Sequence, residues 1–178
     1  ENKIIDYMRP LGLENIKFHV QVDASSPSEN GKDKVEFKFS ANPGQPLAPL
    51  SEVASGGEMS RFLLALKTVL SEGQGHSALL FDEIDSGVSG RVCRAIASSM
   101  KSLSSHRQVI CVTHQPLVAA VADNHFSVSK LVKDGVTNSV VSELSGFQAR
   151  QEELAELAGG DFLEAKAYAA SLLEDQAA

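Results

Sequence analysis

Two short apolar runs decide most of what this chain can become. Residues 77–84 form a compact apolar segment that ends in acids, and residues 108–112 form a second one. Between them, residues 90–103 carry Val92, Ile96, Met100 and Leu103 at helical spacing. Short apolar runs of this kind, without polar alternation, suit strands buried on both faces. Strand, helix and strand in succession predict an α/β layer, with a mainly parallel sheet flanked by helices.

The flanking segments extend this pattern. In residues 16–22, Ile16, Phe18, Val20 and Val22 alternate with Lys17, His19 and Gln21, and residues 35–39 alternate again. A cluster of turn formers at 25–31 separates them, which predicts an antiparallel strand pair on the N-terminal side. A loop rich in Pro and Gly follows at 42–49, and residues 59–70 are apolar almost all round, as in a buried helix. Downstream, 117–122 reads as helix, and 125–132 and 136–141 read as strands closing the sheet. Residues 148–157 and 161–173 read as two helices broken at Gly159-Gly160.

Composition narrows the class. With 178 residues, 43% of them apolar, the chain can bury one good core, and a single domain over 1–178 is expected. The longest apolar stretches, 62–66 and 78–81, fall far short of a membrane span, and Glu1-Asn2-Lys3-Ile4 is unlike a signal peptide. A start at Glu rather than Met reads as a processed chain or as a piece of something longer. Cys93 and Cys111 show no metal-ligand spacing and read as reduced core cysteines of a cytosolic protein. The formal net charge of −7 argues against a domain whose main work is gripping phosphate backbones. Any DNA contact is expected through a larger assembly.

Four features carry chemistry, and each has a plain structural alternative. Ser55-Gly56-Gly57-Glu58 stands just before a helix, where free N–H groups, the helix dipole and two glycines let a phosphate approach the backbone. The alternative is an N-cap with an acid in the first turn. Asp82 and Glu83 end an apolar strand and point to opposite sides, so they cannot do the same job. One can face hydrated magnesium while the other polarises water; the alternative is that they cap the next turn. Asp85-Ser86-Gly87-Val88-Ser89-Gly90 is either a tight crossing near a partner surface or only a turn. Val109 to Thr113 leads to His114, either a polar group near a phosphate or a capping histidine.

In this order the four features resemble the signature motif, the Walker B strand, the D-loop and the switch histidine of ABC-type ATPases. The closer resemblance is to the RecN family, relatives of the SMC proteins. It rests on residues 53–61, 81–90, 112–120 and 125–130, and on the tail at 150–160. The resemblance implies the C-terminal lobe of an ABC-type P-loop ATPase head acting in repair of DNA double-strand breaks and in recombination, cytoplasmic and associated with the nucleoid. In such proteins two heads sandwich two ATP molecules. By position, Ser55, Gly56, Gly57 and Glu58 would contact an ATP held by the second head. Asp82 would support Mg2+ through water, Glu83 would be the general base, and His114 would sense the γ-phosphate. Asp85 to Ser89 would cross the dimer interface, and Arg61, one turn into the signature helix, would relay closure.

One absence limits that expectation: no stretch fits Gly-x-x-x-x-Gly-Lys-Ser/Thr. Gly31-Lys32-Asp33 lacks both the earlier Gly and the hydroxyl residue. In the family that loop lies in the N-terminal half, across a coiled coil, so that half is the expected partner and residues 1–15 the stub of the returning helix. Alone, the chain is expected to be inactive and, with sheet edge and apolar surface uncovered, prone to self-association. Ser89 stands where SMC proteins carry Asp, which loosens the transfer of D-loop roles. Other readings are the head lobe of another SMC-type or ABC-type ATPase, or an interaction module that hydrolyses nothing. None places the chain in a membrane.

Overall fold

The computed structural model describes residues 1–29, 31–40, 44–53, 55–70, 78–82, 84–133, 135–160 and 162–177, of which the side chains of 51, 53 and 177 are not described. The chain gathers into two compact units, Glu1–Val112 and Thr113–Ala178.

The first unit opens with helix α1 (Asn2–Met8) and a 3-10 turn (Arg9–Leu11). The turn closes on Gly12 in the left-handed region at φ 83°, where an added Cβ would stand 3.3 Å from Val92. Strands β1 (Lys17–Ser28) and β2 (Gly31–Ser40) then form the antiparallel pair that their alternation predicts. The strands run further into the turn-forming cluster than expected, and a register shift between Ala24 and Ser28 absorbs the irregularity. Strand β3 (Ala48–Pro49) adds to β2, and the one-turn helix α2 (Leu50–Val53) follows.

Helix α3 (Gly56–Val69) begins three residues before the expected start, because Ser55 caps it. Its Phe62 meets Phe18 and Phe37 of the hairpin, with ring centroids 5.4 and 6.3 Å away. Tilted rings at such distances add to the burial that anchors the hairpin. Helix α4 (Gly90–Ser104) buries Val92, Ile96, Met100 and Leu103, the residues its spacing selects.

Strands β4 (Leu79–Phe81) and β5 (Val109–Cys111) pair in parallel, Leu80 opposite Ile110. Only one face of this pair is covered, contrary to the expectation of burial on both: Phe81 is 5% exposed, whereas Leu80 is 68% and Ile110 47% exposed. The apolar runs therefore report two apolar faces of which this unit itself fills one. Among the described residues, parallel pairing is confined to these two strands, and the other two sheets are antiparallel.

The second unit holds helix α5 (Pro116–Ala119), strands β6 (Phe126–Lys133) and β7 (Val136–Glu143), and helices α6 (Gly146–Leu157) and α7 (Leu163–Ala177). The last two strands do not close the sheet as expected: they pair with one another as a hairpin. The helices pack around Ala119, Ala120, Leu154, Ala155, Ala169, Leu172 and Leu173. Between α6 and α7 the predicted break holds, with the Gly160 N–H donating to the Ala155 carbonyl at 3.0 Å and φ 117° at Gly160. No helix of the described residues is long and apolar enough to cross a membrane.

Candidate functional site

The site is built outward from the start of α3. Ser55 Oγ accepts from the Glu58 N–H at 3.3 Å, and the Glu58 carboxylate accepts from the Ser55 N–H at 2.8 Å. This capping box satisfies two amides that a helix start leaves orphaned. The N-cap alternative is what the structure shows at this motif. Ser55 is a cap, and because its oxygen accepts, its own proton remains for a ligand. Ser55 and Gly56 are exposed and Gly57 is half-buried, so the dipole end of a fourteen-residue helix faces out.

The same helix is tied to the end of β4. Ser60 Oγ donates to the Asp82 carbonyl at 3.1 Å, and Arg61 Nη1 donates to the Ile84 carbonyl at 3.4 Å. Arg61 is only 7% exposed, and its Nε has no hydrogen-bond partner among the described residues. Burial pulls its pKa below the usual range, and the nearby Glu58 charge opposes that shift in part. The sequence reading chose Arg61 but missed Ser60. A polar residue beside an arginine in a nearly all-apolar helix was the signal available.

Asp82 lies exposed just beyond β4, and Glu83 falls outside the described residues. Asp85 is 1% exposed, turned into its own unit, while Ser86, Gly87 and Ser89 of the same loop are exposed. The negative charge of Asp85 is felt by both thiols. Burial first, and Asp85 second, push the Cys93 thiol up; burial, then Asp85 and Asp82, push Cys111 up to about 12. These cysteines are free, protonated core residues, Cys93 buried and Cys111 half-buried.

His114 belongs to the second unit, one residue beyond its start. It is exposed, with Nε2 3.3 Å from Gln115 Nε2. Thr113 Oγ1 accepts the Gln115 N–H at 3.0 Å, and Pro116 takes the first position of α5, where its missing N–H costs nothing. The described geometry therefore gathers Ser55 to Glu58, Asp82 and Asp85 within one unit.

For magnesium, the described residues offer no group of three or more His, Cys, Asp and Glu side chains. One exposed carboxylate, Asp82, fits an ion that keeps several waters and takes its other ligands from substrate phosphates.

A family profile described as "AAA domain, putative AbiEii toxin, Type IV TA system" matches residues 12–120. The DNA repair protein RecN of Synechocystis sp. (strain PCC 6803) is 46% identical over 194 residues, covering 100% of this chain and 33% of that protein. The chain thus spans about a third of the length of that relative. Among solved structures, the Smc head domain with a coiled coil and joint from Pyrococcus yayanosii superposes with TM-score 0.57 at 25% identity, covering 83% of this chain and 27% of that one. A structure described for ATP-driven dimerization and DNA-stimulated activation of SMC ATPases gives TM-score 0.51 at 19% identity, covering 90% of this chain and 92% of that one. The fold is that of an SMC-type head, and the chain belongs to this AAA-domain family as a RecN-like head fragment.

Proposed function

We propose that this chain is the C-terminal part of a RecN-like ATPase head that works in DNA double-strand break repair and recombination. Both compact units serve one lobe. In this reading Ser55, Gly56, Gly57 and Glu58 meet the γ-phosphate of an ATP seated on a second head. Asp82 holds Mg2+ through water, Glu83 takes a proton from the attacking water, and His114 senses the γ-phosphate. The exposed part of the loop after Asp85 faces the second head. Mg2+, when bound, neutralises phosphate charge. DNA is engaged by the full-length assembly, in keeping with the chain's net charge of −7.

The observation that carries the reading is α3 itself. An exposed, pre-capped helix start lies on the same helix whose Ser60 is hydrogen-bonded to the backbone of Asp82, which supports a phosphate-contacting end tied to a strand-end acid. The open face at Leu80 and Ile110 supports the N-terminal half of the head as the part that supplies the nucleotide loop.

The test is ATP turnover by this chain alone and after mixing with the N-terminal half, with Glu83→Gln as control. Silence alone, turnover on mixing and loss in the variant are expected. Turnover by the chain alone would overturn the half-head reading.

A further inference from the structure

The last two helices frame a cleft that the chemistry above does not use. Helix α6 ends at Leu157, the chain turns through Gly159 and Gly160, and α7 begins at Leu163. A cavity of about 330 Å3 opens at this turn, lined by Ala158, Gly159, Phe162, Glu164, Ala165 and Tyr168. Its frame is tied together. The Gly159 N–H donates to the Glu156 carbonyl at 3.2 Å, the Lys166 N–H to the Phe162 carbonyl at 3.0 Å, and Gln151 Nε2 to the Lys166 carbonyl at 3.1 Å.

The lining selects by charge. Glu164 supplies its one charged side chain, exposed in the first turn of α7, where a carboxylate suits the positive end of the helix dipole. Ala158 and Gly159 bring in the C-terminal end of α6, the negative end of that helix. Helices commonly set Lys, Arg or His there, but the last turn of α6 holds no base and does hold Glu156. The one base of α7, Lys166, does not line the cavity. A cation is therefore favoured at this turn and an anion repelled.

The lining also selects by shape. Phe162 is 67% exposed and Tyr168 39%, so both offer ring surface to a ligand. The Phe162 ring is laid against Gly160, where an added Cβ would stand 3.6 Å from it. A bare metal ion has no use for rings, and an apolar ligand has none for Glu164. An organic cation uses both. Among these, a guanidinium is planar, stacks on aromatic faces and gives up less hydration than an ammonium. Leu163, 80% exposed beside the cleft, adds apolar surface that a free cation would leave bare and that a peptide segment covers.

We propose that this cleft is a docking site for an arginine side chain of a partner protein. Its guanidinium rests on Phe162 and Tyr168, donates to the Glu164 carboxylate and answers the end of α6. The site lies wholly in the second unit and shares no residue with the nucleotide machinery, so it stands or falls apart from the ATPase reading.

The test uses the full-length protein and a Gly-Ser-Leu-Arg-Leu-Ser-Gly peptide with both ends blocked, followed by peptide-observed NMR. Counterpart peptides carry Gln or Lys in place of Arg. The arginine peptide is expected to bind, with saturation transfer to its side-chain methylenes, and the Gln peptide to stay silent. Phe162→Ala, Tyr168→Ala and Glu164→Gln should each weaken binding about threefold to tenfold, as loss of a part-exposed cation contact does. Tyr168→Phe, which keeps the ring, should bind as the wild type does. Thermal midpoint and ATP turnover should hold in all four variants, because these side chains are exposed. No binding of the arginine peptide, equal binding of the Gln peptide, or unchanged affinity in Glu164→Gln overturns the cation site. Equal binding of the Lys peptide overturns the assignment to a guanidinium. Affinity lost in step with the thermal midpoint in every variant also overturns the site, since it marks a role in folding alone.

Discussion

In the first hairpin, Phe18 and Phe39 are 5% and 0% exposed, and Phe18 and Phe37 stack against Phe62 of α3. In the second, apart from the half-buried Ser127, every described residue of β6 and β7 is exposed, Val128, Val132 and Val141 among them. Both are antiparallel ladders with β-branched and aromatic residues, so strand propensity does not tell them apart. The difference lies in what each face meets. The first has a buried face, with Phe18 and Phe37 against Phe62 of α3, and a one-residue slip would turn that face to solvent. The second takes its register from its turn and base: Lys133 opposite Val136 leaves a two-residue link, Gly135 has φ 77°, and the Leu144 N–H donates to the His125 carbonyl at 2.8 Å. A ladder specifies a hairpin, but a buried face anchors it.

The strongest way to break this contrast is Phe62→Ala. It should cost about 3–5 kcal/mol, the usual loss for a buried aromatic, and lower the urea midpoint accordingly. A loss below about 1 kcal/mol would mean that α3 does not anchor the first hairpin.

Next comes Arg150, whose Nη2 donates to the Ala120 and Ala122 carbonyls at 2.9 and 3.0 Å. Arg150→Ala should cost about 2–3 kcal/mol by stranding those carbonyls, in the same denaturation assay. It is the second unit's counterpart of Arg61, and both arginines leave a buried Nε without a partner among the described residues. An unchanged midpoint would show that the second unit's helices, not this contact, fix the approach to its hairpin.

Proton linkage separates the units by sign. Cys111 in the first has its pKa raised from 9.0 to about 12, so the folded state holds the proton more tightly there. Its contribution is full below pH 9 and is lost as pH rises toward 12. His125 in the second is lowered from 6.5, by burial first and then by the charge of Arg150, with Glu153 opposing. Its contribution is present above 6.5 and is lost as pH falls below it. Alkylation of Cys111 in the folded chain at pH 8 should therefore be slow, and His125→Gln should flatten the acid limb of a stability–pH curve. Rapid alkylation without unfolding, or an unaltered acid limb, would break the assignment.

The smallest expected effects are in the second hairpin: Val128→Thr and Val132→Thr should change stability by no more than about 0.5 kcal/mol, as exposed substitutions do. A larger loss would reveal a covered face, and sedimentation of this chain over a range of concentration would show whether a second copy covers it.

The sequence made some of this legible and concealed the rest for physical reasons. The pairing of β1 with β2, the buried stripe of α4 and the break at Gly159-Gly160 depend on local periodicity and backbone freedom, which neighbouring residues dictate. The open face of β4 and β5 was misread because Leu80 and Ile110 are apolar, and an apolar residue states a preference without saying whether its partner is present. The capping box was visible as Ser55 with Glu58 three residues on. The tie from Ser60 to Asp82 was not, because it joins residues 22 apart through a contact that no spacing rule encodes. Likewise nothing in the string Phe81 to Ser86 distinguishes a buried Asp85 from an exposed Asp82.

The cap at Ser55 also bears on timing. Because Glu58 and Ser55 close the first turn of α3 on themselves, that turn is formed before any anion arrives. In the proposed function, docking of a phosphate there would freeze few additional torsions, and the encounter would be limited by collision and orientation rather than by folding of the receiving turn. In such a site, loss of the Glu58 carboxylate would surface as slower capture of the anion, with the lifetime of the captured state little changed.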